Sequence, residues 1–122
     1  MPKIKLRDNN SKGYSEAEPY DGIRLQFPDS ETARGRVVKQ KSQTLQASGA
    51  GGVLLPDTRI RRLTPIECER LQGFPDDWTK CGVDEKGETV SISDSQRYKM
   101  CGNAVTTNVI RVIGERLLEV LG

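Results

Sequence analysis

The chain has 122 residues, 34% of them apolar and 30% charged, with a mean hydropathy of −0.60 and a net charge of +2. That is one domain's worth of sequence with a lean supply of core residues, since backbone ordering must be offset chiefly by apolar burial. The chain has no His, which excludes Ser-His-Asp and Cys-His catalysis. Its three widely spaced Cys (68, 81 and 101) argue against both a zinc site and a disulfide framework.

No run is long and apolar enough to cross a membrane, and no signal-peptide pattern opens the chain, so a cytoplasmic protein with free thiols is expected. Charge is unevenly spread. Residues 1–62 carry 12 Lys/Arg against 7 Asp/Glu, and residues 63–122 carry 7 against 10. A basic first half suits a polyanion, because Lys and Arg that neutralise phosphates release counterions.

Residues 1–36 are polar and broken by turn signals at Asn9-Asn10, Lys12-Gly13, Asp21-Gly22 and Pro28-Asp29. Within them, the alternating run Ile23-Arg24-Leu25-Gln26-Phe27 predicts a half-buried strand. Order in the rest is expected to come from docking on something else. Val37-Val38 and Thr44-Leu45 are further short strand candidates; Ser48-Gly49-Ala50-Gly51-Gly52 reads as a flexible turn, followed by a short apolar run, Val53-Leu54-Leu55, that Pro56-Asp57 ends.

The second half is more sharply punctuated. Thr64-Pro65-Ile66-Glu67 reads as a capping box with Pro at the first helical position, predicting a helix over about 65–72 that stops at Gly73. Phe74-Pro75 turns the chain, and Trp78 is expected to anchor that turn in the core. A polar loop is expected over 80–92. Ser93 with Gln96 caps a short helix over about 94–100, which Gly102 breaks. The last helix, about 104–121, carries Val105, Val109, Val112, Ile113, Leu117, Val120 and Leu121 at helical spacing. That stripe suits either packing on this chain's own strands or docking on another domain. The fold class expected is α+β, with short strands in the first half and three helices in the second.

Two segments carry more than structure. Arg61-Arg62-Leu63-Thr64-Pro65-Ile66-Glu67-Cys68-Glu69-Arg70-Leu71-Gln72-Gly73-Phe74-Pro75 resembles the ninth sequence motif of DNA cytosine-5 methyltransferases, and Gln96-Arg97-Tyr98-Lys99-Met100-Cys101-Gly102-Asn103-Ala104-Val105 resembles the tenth. Ser42-Gln43-Thr44-Leu45 followed by Gly51-Gly52 resembles the stretch just before the ninth. The likeness covers residues 36–122.

It implies a C-terminal portion of an S-adenosylmethionine-dependent enzyme without its Rossmann-like catalytic domain. Residues 1–35 would belong to a target-recognition region, 36–101 to a small DNA-facing domain, and 102–122 to a turn and helix that pack on a catalytic domain. By the same resemblance Asn103 and Ala104 would border S-adenosylmethionine, and Thr44 would contact a phosphate of double-stranded DNA near a flipped cytosine. Arg34, Arg36, Lys39 and Lys41 would add charge beside it. Arg61 and Arg62 are either phosphate contacts or solvated charges.

The reaction needs a cysteine thiolate added at C6 of the extruded base and a carboxylic acid at N3. In the family these come from a Pro-Cys-Gln loop and a Glu-Asn-Val segment, and neither occurs here. Cys68, Cys81 and Cys101 lack that setting and read as structural or incidental thiols. The expectation is a split or truncated enzyme, inactive alone, with no metal. Its partner would be a catalytic-domain chain or a second copy docked through the C-terminal helix. A non-enzymatic DNA-binding or regulatory module, or a non-functional gene remnant, is the alternative.

Overall fold

A computed structural model describes residues 3–25, 32, 35–46 and 51–122. Short strands come first and helices later, and the described residues fall into two compact units. One runs to Leu45 and takes up again over 51–63. The other holds Gln46 and residues 64–122.

The first unit opens with an antiparallel hairpin of β1 (Ile4–Arg7) and β2 (Tyr14–Ala17), in register Ile4↔Ala17 to Arg7↔Tyr14. This corrects the expectation that the N-terminal stretch orders only by docking. Ile4-Lys5-Leu6-Arg7 alternates apolar and basic residues, and the alternation turns Ile4 and Leu6 toward the core while Lys5 and Arg7 stay exposed. A four-stranded antiparallel sheet follows, in the order β4 (Val37–Val38), β3 (Gly22–Ile23), β5 (Gly52–Leu54), β6 (Ile60–Arg62). Ala17, Ile23 and Leu54 form the buried cluster, with Ile4, Leu6 and Val37 packed against it.

Among the described residues the predicted strand 23–27 has ladder pairing at Gly22–Ile23, with the Arg24 amide donating to the Arg36 carbonyl, and Leu25 is 36% exposed; Gln26 and Phe27 lie outside the described residues, as does most of the 48–52 stretch. Thr44-Leu45 is irregular backbone. At Gly22 a side chain would collide with the Lys41 carbonyl, so this glycine lets the 41–43 segment cross close to β3.

In the second unit α1 (Pro65–Leu71) starts as its sequence predicts. The Thr64 hydroxyl accepts from the Glu67 amide, and the Glu67 carboxylate accepts from the Thr64 amide. Gly73, at φ +77°, follows the Gln72 cap and ends the helix.

The expected loop 80–92 is instead a hairpin, β7 (Cys81–Val83) with β8 (Thr89–Ser91). Its turn is set by the Asp84 carboxylate, which accepts from the amides of Lys86 and Glu88, and by Gly87 at φ +81°. Trp78 is not in the core. It is 65% exposed and stacks on Phe74 at 6.5 Å between ring centroids.

The next helix, α2 (Asp94–Asn103), passes through Gly102 rather than breaking there. The Gln72 side-chain amide donates to the Cys101 and Ala104 carbonyls and so satisfies groups a helix end leaves open. The last helix, α3 (Thr107–Leu121), begins three residues later than its apolar pattern suggested, because Ala104 and Thr106 are extended. No residue of α3 is buried.

Candidate DNA-facing and cofactor-facing sites

Of the basic residues proposed from the sequence as phosphate contacts, those among the described residues fall in the first unit, where four strands divide them. Lys39 follows β4 at one edge of the sheet, Arg61 and Arg62 lie on β6 at the other, and Lys41 belongs to the segment that crosses close to β3. Three strand intervals put these edges about 14 Å apart.

Arg36 is only 4% exposed, so its guanidinium is withdrawn from any phosphate approaching from solvent. Lys39 is also committed. Its ammonium lies 2.9 Å from Asp21 and donates to the Glu16 carbonyl. Asp21 is fully buried and accepts in addition from the Glu18 amide and from the Gln40 amide and side chain. Burial alone would raise its pKa; these donors outweigh that and hold it down at about 2, while Asp21 in turn raises Lys39.

Lys41 and Thr44 are exposed on the irregular segment beside β3, and Arg61 and Arg62 are exposed along β6. Arg59 is held locally by Asp57 at 2.6 Å. Arg34 lies outside the described residues.

The second unit contains the tenth-motif turn, and its geometry depends on a residue the sequence reading passed over. Gln72, 7% exposed, uses both ends of its side chain. Its amide nitrogen donates to the Cys101 carbonyl at 2.7 Å and to the Ala104 carbonyl at 3.3 Å. Its amide oxygen accepts from the Thr106 hydroxyl at 2.7 Å. Its backbone carbonyl accepts from the Thr107 amide and hydroxyl, both at 2.9 Å. The segment 101–107 is thereby fixed to the end of α1.

Gly73 sits against the same place; a Cβ there would strike the Thr107 hydroxyl. Ala104 is half-buried under these bonds, and Asn103, one residue earlier, is exposed. The Thr106 hydroxyl donates to Gln72 and makes no capping bond to α3.

A second network supports the first. Glu69 is fully buried on α1 and accepts from the Asp77 amide, the Thr79 amide and hydroxyl, and the Arg97 guanidinium at 3.0 Å. Arg97 on α2 also donates to the Thr79 hydroxyl and lies 3.6 Å from Asp77. Burial pushes the Glu69 carboxyl upward, and the donors from Thr79, Arg97 and Asp77 more than reverse it, leaving it below the usual value.

Glu67 announces itself as a cap, whereas nothing in the local sequence marks Glu69 as buried. The only available signal is that Glu69 and Arg97 lie in the two motifs.

Cys68, Cys81 and Cys101 form no disulfide; Cys68 and Cys101 are buried, and burial raises the Cys101 thiol above its ordinary value, while Cys81 is exposed. Among the described residues no cluster of His, Cys, Asp or Glu could hold a metal ion, and no helix is long and apolar enough to cross a membrane.

The sequence model of the C-5 cytosine-specific DNA methylase family matches residues 3–119, extending the likeness through the N-terminal hairpin. The chain is 35% identical to the orphan methyltransferase M.Rho11sI of Bacillus phage rho11s, over 91% of this chain and 23% of that protein. It is 40% identical to the type II methyltransferase M.HpaII of Haemophilus parainfluenzae, over 52% of this chain and 15% of that protein. A third relative, at 29% identity over 80% of this chain and 16% of its own length, is the DNA N-6-adenine-methyltransferase of Escherichia phage P1. No solved structure matches the chain significantly. The chain thus spans about a fifth of the length of the curated relatives it matches. With a family match over nearly its whole length, the chain belongs to the C-5 cytosine-specific DNA methylases.

Proposed function

We propose that this chain supplies the DNA-facing, C-terminal part of a DNA cytosine-5 methyltransferase and is inactive without a catalytic segment carried elsewhere. The observation that carries the reading is the family match over residues 3–119 in a sequence that holds neither Pro-Cys-Gln nor Glu-Asn-Val. The nucleophile and the acid then come from outside these 122 residues.

Double-stranded DNA is the partner of the first unit. Lys41, Arg61 and Arg62 offer exposed charge to phosphates, and the Thr44 hydroxyl a hydrogen bond. Arg36 and Lys39 drop out of that set, one buried and one bound to Asp21.

S-adenosylmethionine would supply an electrophilic methyl group. What this chain offers it is a turn held still. The exposed Asn103 can donate or accept through its amide, and Ala104 keeps the backbone beside it free of a bulky side chain. The anchoring bonds from Gln72 support the fit, because a ligand-facing turn gains when it is ordered before binding. The exposed apolar stripe of α3 is the surface on which the catalytic chain would seat.

The test is transfer of a labelled methyl group from S-adenosylmethionine to mixed-sequence DNA, with this chain alone and with a chain carrying the Pro-Cys-Gln and Glu-Asn-Val segments. Transfer only in the mixture is expected. Transfer by this chain alone, or by no cognate mixture, would overturn the reading.

A further inference from the structure

Phe74 and Trp78 form an aromatic pair that has no role in the contacts assigned above. Phe74 is half-buried and Trp78 exposed, and their rings lie near-parallel, at 15°.

The pair is held from within by one residue. Glu69 accepts the Phe74 amide through its backbone carbonyl at 2.9 Å, and its buried carboxylate accepts the amides of Asp77 and Thr79, both at 2.8 Å. Trp78 lies between those two residues, and its own amide donates to the Pro75 carbonyl at 3.2 Å. Asp77 takes a left-handed backbone, φ +62°, at the third position of that turn. The backbone on either side of Trp78 is thus closed onto Glu69 while the indole stays at the surface. An aromatic side chain fixed before binding loses little freedom on being covered. Trp is also among the residues that most often dominate an interface.

Charge favours a protein over a nucleic acid as what covers the pair. Asp76 and Asp77 adjoin Trp78, and the cations near them are committed. Arg70 forks onto Asp76 at 2.8 and 2.7 Å, Lys80 lies 4.0 Å from Asp77, and Arg97 is buried on Glu69. Residues 63–122 carry 10 Asp/Glu against 7 Lys/Arg, an acidic balance that repels phosphates. Position favours the catalytic chain. Gly73, immediately before Phe74, packs so closely on the start of α3 that a Cβ there would strike the Thr107 hydroxyl and stand 3.2 Å from the Asn108 side chain. The pair therefore adjoins the helix on which that chain would seat. The matched relatives hold most of their length outside the part this chain matches.

From these features we infer that Trp78, backed by Phe74, is a second seat for the catalytic chain, an aromatic anchor that continues the apolar stripe of α3 and enters an apolar pocket of the partner. The seat rests on the split enzyme proposed above, so binding by the wild type is measured before any variant is compared. Trp78 is the only Trp in the chain, and biosynthetic fluorotryptophan therefore gives the full chain one fluorine resonance. That resonance would be followed on adding an unlabelled chain that carries the Pro-Cys-Gln and Glu-Asn-Val segments. Calorimetry would give the affinity of the same partner for the wild type, for Trp78→Ala and for Val83→Ala, an exposed apolar residue on β7. Far-UV circular dichroism checks that each variant keeps its fold.

The resonance is expected to shift with the catalytic chain, and to stay in place with duplex DNA alone or on concentrating the chain by itself. Trp78→Ala should weaken binding by about thirtyfold or more, with Val83→Ala near wild type. Wild-type binding with an unmoved resonance, or with Trp78→Ala at wild-type affinity, overturns the seat and leaves the proposed function standing. No binding by the wild type overturns both. Equal losses in Trp78→Ala and Val83→Ala reduce the effect to lost apolar surface and overturn the seat. A resonance moved by duplex alone assigns the indole to nucleic acid, and one moved by concentration alone assigns it to a second copy; either overturns the seat. If Trp78→Ala loses its fold, the resonance of the labelled wild type decides.

Discussion

Two buried carboxylates carry much of the local order, each in a different unit. Asp21 is held at a pKa of about 2 against an ordinary 3.8 by donors from Glu18, Lys39 and Gln40. A pKa lowered by folding adds stability that is fully present above the unfolded value and is lost as pH falls through the folded one. The window for Asp21 therefore runs from about 3.8 down to about 2. The shift is worth on the order of 1–2 kcal/mol once solvent around the half-exposed Lys39 is allowed for. Asp21→Asn should remove that part of the acid sensitivity; urea midpoints measured from pH 5 to pH 2 would fall less steeply than in the wild type. An unchanged profile would mean that Asp21 is not held in this way. Glu69 is shifted in the same sense and adds acid lability of the same sign. Its partner gives a sharper test. Arg97→Met leaves a buried carboxylate without its counter-charge, which costs about 3–5 kcal/mol. A urea-derived loss below about 1 kcal/mol would show that Thr79 and the Asp77 amide suffice alone.

Elements were legible where a few neighbouring residues decide them. The Thr64–Glu67 box and Gly73 bound α1 because capping is local chemistry, and both are present as read. Thr64→Ala should cost about 1 kcal/mol in chemical unfolding; a change within error would mean that Gln72 and Glu69 fix α1 without its cap. Legibility failed where a distant partner decides. Gly102 would weaken an isolated helix by about 1 kcal/mol relative to Ala, yet α2 runs through it because Gln72, 29 residues before Cys101, satisfies the helix end. Trp78 is exposed where a core anchor was expected, while the residues buried in the same unit include Glu69, Thr79 and Arg97, a polar network that no apolar pattern reveals. The hairpin at 81–91 was missed for another reason: its strands are exposed, so alternation carries little signal, and only Asp84 and Gly87 mark the turn. For the candidate sites, the motif residues Asn103 and Ala104 could be named from sequence. That Arg36 is buried and Lys39 is engaged by Asp21 could not, since both depend on residues brought together by the sheet.

At the scale of the molecule the main imbalance is on α3. Val109, Ile113 and Leu117 are each more than half exposed, and no residue of its 15 is buried. A helix of this length is marginal in water without a packed face. In this chain it is tied at its start through the bonds from Thr107 to Gln72. Burying a side chain such as Leu or Val stabilises by about 1.5–3 kcal/mol, so three or four of these residues docked on a catalytic chain would outweigh the ordering of the helix. This separates stability from assembly. Leu117→Asp should leave the thermal midpoint of the isolated chain nearly unchanged, because an exposed position away from special features shifts stability by about 0.5 kcal/mol or less. In the complemented methyl-transfer assay it should abolish activity, because the same position would then place a carboxylate in an apolar seam, where an unpaired charge is strongly disfavoured. A variant that complements as well as the wild type would show that the catalytic chain does not use the α3 stripe. A variant that unfolds alone would show that the stripe is already covered by the chain itself.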